Sequence, residues 1–413
     1  MPAQAPSAFH VMTKPIGPLC NLDCKYCFYL EKEKLFPGNE NFKMSDEVLE
    51  TYVRQYIEHQ AAPEITFAWQ GGEPTLMGVN FFRKVVAFQK QYANGKTIHN
   101  ALQTNGTLLD DEWCEFLAKN RFLVGLSIDG PPKLHDTYRV DKKGGGSYEK
   151  VVRGLKLLKK HGTDFNTLTV VNRVNSQHPL EVYKFLKGIG SGYIQFIPLV
   201  ERLADADAKK LGLNLAMPPR VDQEGEVPMP VTAWSVQPKQ FGKFLCTIFD
   251  EWVRHDVGRY YVQLFDVTLA NWSGEPGGLC VFSPTCGVGM AMEHNGDVYS
   301  CDHYVYPQYK LGNILNKTLG EMVGSEFQLQ FGKDKSATLP KYCLDCDVRF
   351  LCHGECPKHR FLRTPAGDPG LNYLCSGYKE FFHHSTRPMQ IMRDLLRAQR
   401  APAEIMAMAD SRP

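Results

Sequence analysis

No stretch of this chain approaches the roughly 20 continuous apolar residues that cross a bilayer. Its first residues, MPAQAPSAFHVMTKP, carry no basic segment followed by an apolar one. Neither a membrane span nor a secretory signal is expected, and a cytoplasmic location is. Neither sign of charge is in excess: 47 Lys and Arg face 45 Asp and Glu, a formal net charge of +2. That removes the general electrostatic case for nucleic acid or an acidic membrane surface as a partner. Repeats and low-complexity tracts are absent as well, and 43% hydrophobic with 22% charged residues is ordinary for a globular protein.

Cysteine is the residue present in unusual number, thirteen in 413 residues. In a reducing compartment, clustered cysteines point to metal or redox chemistry rather than structural disulfides. Three lie at Cys20, Cys24 and Cys27, and eight fall between 280 and 375. Cys114 and Cys246 stand apart in helix-like apolar patterns and read as small buried hydrophobes.

Apolar runs at 65–70 (ITFAWQ), 123–129 (LVGLSID), 165–171 (FNTLTVV) and 193–198 (YIQFIP) read as buried parallel strands. Helical patterns lie between them, over roughly 79–93, 110–120, 147–161 and 178–188, and one more starts from Ser45 as N-cap. Such alternation implies a parallel sheet with helices outside it. About six units are visible, fewer than the eight of a closed barrel. The expected fold is therefore α/β, a partial (β/α)6 TIM-like barrel or an open sheet, over residues 1–235. Residues 201–235, polar and rich in Pro and Gly, read as an insertion or linker. A helical segment at 238–272 opens a cysteine-rich unit over 236–390, with a hairpin at Asn295-Gly296. This unit has too little regular core to fold by apolar burial alone, so metal sites are expected to support it. Residues 391–413 read as a C-terminal helix and tail.

The spacing Cys20-x3-Cys24-x2-Cys27 follows the first strand, at the mouth of the barrel. Three thiolates this close suit a cubane iron–sulfur cluster. No fourth cysteine follows before Cys114, which leaves one iron open for chemistry. Zinc motifs come instead as paired Cys or Cys/His. The eight later cysteines make two sets of four, which either zinc or iron–sulfur clusters could fill on spacing alone.

CNLDCKYC resembles the signature of the radical S-adenosylmethionine (SAM) superfamily, in which the open iron of a [4Fe–4S] cluster chelates SAM and yields a 5′-deoxyadenosyl radical. Gln70-Gly71-Gly72-Glu73-Pro74 is similar to that family's GGE motif, and the resemblance implies that Gly71, Gly72 and Glu73 hold the SAM amino group. It also implies that Ser127 and Arg139 contact the SAM ribose and carboxylate, that Val200 lies near the adenine, and that Tyr26 lies beside the cluster. The pattern from Cys280 to Cys375 resembles a SPASM domain. By that resemblance Cys280, Cys286, Cys301 and Cys356 hold one auxiliary [4Fe–4S] cluster and Cys343, Cys346, Cys352 and Cys375 another, three clusters in all.

The stretches HVMTKPIGPLCNLDCKYCFYLEK, WQGGEPTL, LQTNGTLL, LSIDGPPKLHDTYR, YIQFIPLVE and CDHYVYPQYKLGNI together resemble the anaerobic sulfatase-maturating enzymes. The resemblance implies oxidation of a Cys or Ser in a C/S-x-P-x-R segment of an unfolded or nascent sulfatase to Cα-formylglycine, by hydrogen abstraction from Cβ. Asp302 would be the catalytic base, and flavodoxin or ferredoxin the electron donor. Two readings compete. Another SPASM peptide maturase is disfavoured because only nineteen residues precede Cys20, too few for a leader-recognition domain. A non-catalytic iron–sulfur carrier or regulator would have no use for the open site.

Overall fold

A computed structural model describes residues 8–38, 41–219 and 230–409. Part of the insertion read at 201–235, residues 220–229, lies outside the described residues, as do residues 410–413 of the tail. One ten-stranded sheet dominates, in the order β10-β9-β8-β1-β2-β3-β4-β5-β6-β7. Its strands are β1 (His10–Lys14), β2 (Glu64–Trp69), β3 (Thr97–Thr104), β4 (Phe122–Ser127), β5 (Phe165–Val171), β6 (Tyr193–Pro198), β7 (Tyr261–Val262), β8 (Gly289–Glu293), β9 (Asp297–Tyr299) and β10 (Lys310–Asn313). Strands β1 to β6 are parallel to one another, as the alternation predicts, and β7 adds in parallel at one edge. At the other edge β8 runs parallel to β1, and β9 and β10 follow as antiparallel hairpins.

The first half supplies helices α1 (Asp46–His59), α2 (Val79–Tyr92), α3 (Asp111–Lys119), α4 (Pro132–Asp136), α5 (Tyr148–Lys160) and α6 (Pro179–Gly188). Ser45 caps α1 by accepting a bond from the Val48 amide, which satisfies one of the orphan donors of a helix start. The sheet face under these helices is fully buried, as at Val124, Leu126 and Ile194. The opposite face lines the hollow of the partial barrel and stays open, with Leu123 at 38% and Ile197 at 40% exposure. Strand β3 has no apolar run because its buried face carries Asn100. That amide is satisfied by Trp69 Nε1 at 2.8 Å and by a reciprocal pair of bonds with Gln89 at 2.9 Å.

Within 201–235 the chain forms a short α7 (Ala206–Lys210), and the Glu31 carboxylate accepts from the Asn214 and Leu215 amides. The single helical segment expected at 238–272 is two helices, α8 (Pro238–His255) and α9 (Gln263–Ser273). A turn through Gly258 (φ +77°) separates them and frees β7 to pair with β6. Beyond the hairpin at Asn295-Gly296 come α10 (Leu319–Val323), α11 (Glu326–Ala337), α12 (Lys341–Leu344), α13 (Arg349–Cys352) and α14 (Cys375–Arg397). Residue 391 falls inside α14, which is continuous from a cysteine of the second region to Arg397.

The cysteine-rich region does not stand on metal sites alone. Its Phe282, Leu351, Phe361, Tyr378 and Phe381 join one core with Leu126, Val171 and Ile194 of the barrel. Phe249 of α8 is at the centre of this join, fully buried, with ring centroids 5.2 Å from Phe265 and 5.8 Å from Phe381. Phe249→Ala is expected to cost about 3–5 kcal/mol, read as a clear fall in the thermal midpoint of the loaded protein. An unchanged midpoint would show that the α8–α14 contact does not join the two regions.

Candidate functional site

Strand β1 ends at Lys14, and the loop beyond it carries Cys20, Cys24 and Cys27. Cys27 N donates to Cys24 O at 2.9 Å, a tight turn that gathers the thiols. The loop rests on the turn after β2, where Gly72 N donates to Gly17 O and Glu73 N to Leu19 O, both at 2.8 Å. A Cβ on Gly72 would lie 1.9 Å from Leu19 O; only glycine allows this approach. Asn21 secures the other side, donating to Thr107 Oγ1 at 2.8 Å and accepting from Asn105 Nδ2 at 2.9 Å. Burial pushes the Cys20 and Cys24 thiols up to about 12, and Cys27 up as well. Such buried thiols become thiolates only against a strong positive centre, which the irons of a cluster provide.

Glu73 is 1% exposed, and its carboxylate is largely committed within the protein. Oε1 accepts from Thr75 N, Thr75 Oγ1 and Thr104 Oγ1, and Oε2 accepts from Asn105 N at 2.8 Å. It therefore ties the ends of β2 and β3 together. Oε2 retains room for a further donor.

Asp129, which the sequence reading passed over, organises the next part of the rim. Tyr26 Oη donates to its Oδ2 at 2.6 Å, and Arg139 donates through Nε at 2.8 Å and Nη2 at 3.1 Å. Burial disfavours the Arg139 cation, but Asp129, together with Tyr26 and Cys24, outweighs it and raises the arginine further. Nη1 is the guanidinium nitrogen that Asp129 does not take. Ser127 Oγ, on the open face of β4, accepts from Gln103 Nε2 at 2.9 Å. Val200 is 2% exposed and belongs to the core shared by the two regions.

The second region reaches this same rim because β8 pairs with β1, setting Glu293 opposite Lys14. Lys14, 2% exposed, forms an ion pair with Asp302. Burial alone would raise the Asp302 carboxyl, but Lys14, together with His303 and Lys358, more than offsets it, and the group lies below its ordinary range. The Lys14 ammonium also sits 3.7 Å from the Tyr29 ring centre, and Tyr29 Oη donates to Glu293 Oε1 at 2.6 Å. Lys14, Tyr29 and Glu293 were not legible as site residues. The available signal was a lysine ending an otherwise buried strand.

The eight later cysteines fall into two neighbourhoods. Cys301 lies within electrostatic reach of Cys356 and Cys280, and Cys286 within reach of Cys280. Cys343, Cys346, Cys352 and Cys375 line one pocket with Tyr342 and Arg349. Among the described residues no three His, Cys, Asp or Glu side chains close on a single-ion geometry. Two buried cations stand by these sets. Lys335 donates to the carbonyls of Cys280, Val281 and Ser283, and Arg360 to those of Gly354, Lys335, His353 and Glu355. No helix among the described residues is long and apolar enough to cross a membrane.

The radical SAM superfamily model matches residues 15–186, and the iron-sulfur cluster-binding domain model named SPASM matches residues 285–347. The chain is 51% identical over 397 residues to a serine-type anaerobic sulfatase-maturating enzyme of Bacteroides thetaiotaomicron, covering 96% of this chain and 94% of that one. It is 35% identical to a cysteine-type anaerobic sulfatase-maturating enzyme of Clostridium perfringens, covering 91% and 95%. Among solved structures, native anSMEcpe with bound AdoMet and Cp18Cys peptide superposes with a TM-score of 0.79 at 33% identity, over 93% of this chain and 99% of that one. Streptococcus suis SuiB shares the fold at 14% identity and a TM-score of 0.55, over 84% of this chain and 73% of that one.

Proposed function

This chain belongs to the anaerobic sulfatase-maturating enzymes of the radical SAM superfamily, and from that premise we propose that it oxidises a Ser or Cys in a C/S-x-P-x-R segment of a sulfatase to Cα-formylglycine. The observation that carries the reading is the Lys14–Asp302 ion pair. It joins a carboxylate of the second region to the strand that leads into Cys20, Cys24 and Cys27.

When bound, the [4Fe–4S] cluster and SAM supply a 5′-deoxyadenosyl radical, which takes one hydrogen from the target Cβ. Cys20, Cys24 and Cys27 hold the cluster. Tyr26, Gly71, Gly72, Glu73, Ser127, Arg139 and Val200 form the SAM site, with the Arg139 Nη1 free of Asp129 to face the carboxylate. Asp302 accepts the proton from the target hydroxyl or thiol, and Lys14 keeps it ionised for that task. Cys280, Cys286, Cys301 and Cys356 hold one auxiliary cluster and Cys343, Cys346, Cys352 and Cys375 a second, three clusters in total. Residues 1–235 form the radical SAM barrel with its 201–235 insertion, 236–390 the auxiliary-cluster unit, and 391–413 the C-terminal helix and tail. The enzyme works in the cytoplasm with a flavodoxin or ferredoxin as donor.

The higher identity to a serine-type relative, 51% against 35%, favours serine as the target. The test is mass spectrometry of serine and cysteine C/S-x-P-x-R peptides incubated with reduced enzyme and SAM. A serine peptide should lose about 2 Da and a cysteine peptide about 18 Da on conversion to the aldehyde. Abundant 5′-deoxyadenosine beside unmodified peptides would sink the formylglycine reading and leave the radical chemistry standing.

A further inference from the structure

Lys335 of α11 is 1% exposed, and an isolated buried ammonium costs several kcal/mol unless it is compensated. Among the described residues it makes no ion pair. Its three donors are all spent on backbone carbonyls, those of Cys280, Val281 and Ser283. These bonds fix the charge in place without neutralising it. The groups able to carry negative charge that act on it most strongly are the thiols of Cys286, Cys280 and Cys356. Uncharged, those thiols leave Lys335 uncompensated. As cluster ligands they are thiolates, and the cation then has its partner.

Arg360 fixes this arrangement from behind. Its guanidinium bonds Lys335 O at 2.6 Å and the 353–355 carbonyls that lead into Cys356. The buried Glu355 carboxylate accepts from His359 and Asn372 and also lies within reach of Cys280 and Cys356. Arg360 lies within reach of both sets, of Cys356 in the first and of Cys343 and Cys352 in the second, whereas Lys335 stands against the Cys280 side of the first.

A [4Fe–4S] centre with four thiolates carries a net charge of about −2, and about −3 once reduced. A cation held beside it favours the more negative state and so raises the reduction potential. We propose that Lys335 is a positioning cation that raises the potential of the auxiliary cluster on Cys280, Cys286, Cys301 and Cys356, making that cluster the first acceptor of the electron leaving the peptide. The inference rests on the assignment of those four cysteines to one cluster. In the step concerned, the target residue has already lost one hydrogen from Cβ. The hydroxyl or thiol proton goes to Asp302, one electron goes to the cluster, and the carbon–oxygen or carbon–sulfur double bond forms. The cluster is reoxidised by passing that electron to the second auxiliary cluster or to a one-electron carrier protein.

The test is EPR-monitored redox titration of the fully loaded protein and its Lys335→Met, Lys335→Gln and Lys335→Arg variants. Met and Gln should move one auxiliary midpoint to lower potential, and Arg should leave it near the wild-type value. The cluster whose signal changes on adding SAM serves as the internal control and should not move. Unmoved auxiliary midpoints in Met and Gln would overturn the proposal, as would an Arg variant shifted as far as Met. Loss of auxiliary iron in both neutral variants would also overturn it, by showing that Lys335 builds the site instead of poising it. Wild-type protein without auxiliary cluster signals would overturn the cluster assignment itself, and the inference with it.

Discussion

Asp302→Asn is expected to slow peptide oxidation by about 10²–10⁴-fold, the usual contribution of a positioned proton acceptor, while SAM cleavage continues. An amide nearly matches the carboxylate in shape but accepts no proton at neutral pH. The hydrogen abstraction that precedes proton loss depends on the Cys20–Cys27 loop and the SAM pocket. Neither includes Asp302. The substitution also leaves Lys14 buried without its anion, which destabilises that corner. Iron content is therefore measured alongside the two rates. Full iron, sustained 5′-deoxyadenosine and little aldehyde is the expected pattern. Equal loss of both reactions with full iron would remove the base role, since Asp302 would then be acting on SAM binding.

How much of this was legible in the sequence depended on whether a feature was local. Strands β2, β4, β5 and β6 stood out because each packs an apolar face under helices. Strand β3 did not, because Asn100 takes a core position and is satisfied by Trp69 and Gln89 from other elements. The cysteine loops were legible because cluster ligation demands close spacing. Spacing cannot say which of eight cysteines share a site, and that pairing came from family resemblance. The residues the reading missed, Lys14, Asp129, Glu293 and Lys335, are single charged side chains whose roles arise from burial and from partners far along the chain. Lys14 meets Asp302 only because β8 is inserted beside β1. The split of 238–272 into α8 and α9 was hidden for a similar reason. Helical periodicity continues across it, and β7 exists because β6 offers an edge.

The same dependence on distant partners makes Gly72→Ala the most damaging single methyl that can be added to this rim. The new Cβ would stand 1.9 Å from Leu19 O and 2.8 Å from the Pro18 carbonyl carbon. Both are backbone atoms, so no side chain can rotate away. The contact is relieved only by separating the turn after β2 from the loop that leads into Cys20. That separation breaks the bonds from Gly72 N to Gly17 O and from Glu73 N to Leu19 O, and with them the register between the thiols and the SAM pocket. The expected protein folds, because the core joining barrel and second region lies elsewhere. It loses about one third of its iron, the share of one cluster in three, and makes no 5′-deoxyadenosine. The auxiliary cluster signals persist. Gly188→Ala, where nothing lies within 4 Å of the added Cβ, is the matched control and should leave iron and activity unchanged. A Gly72→Ala protein with full iron and normal SAM cleavage would show that the loop shifts at no cost, and that its fit against the β2 turn is not what holds the first cluster in place.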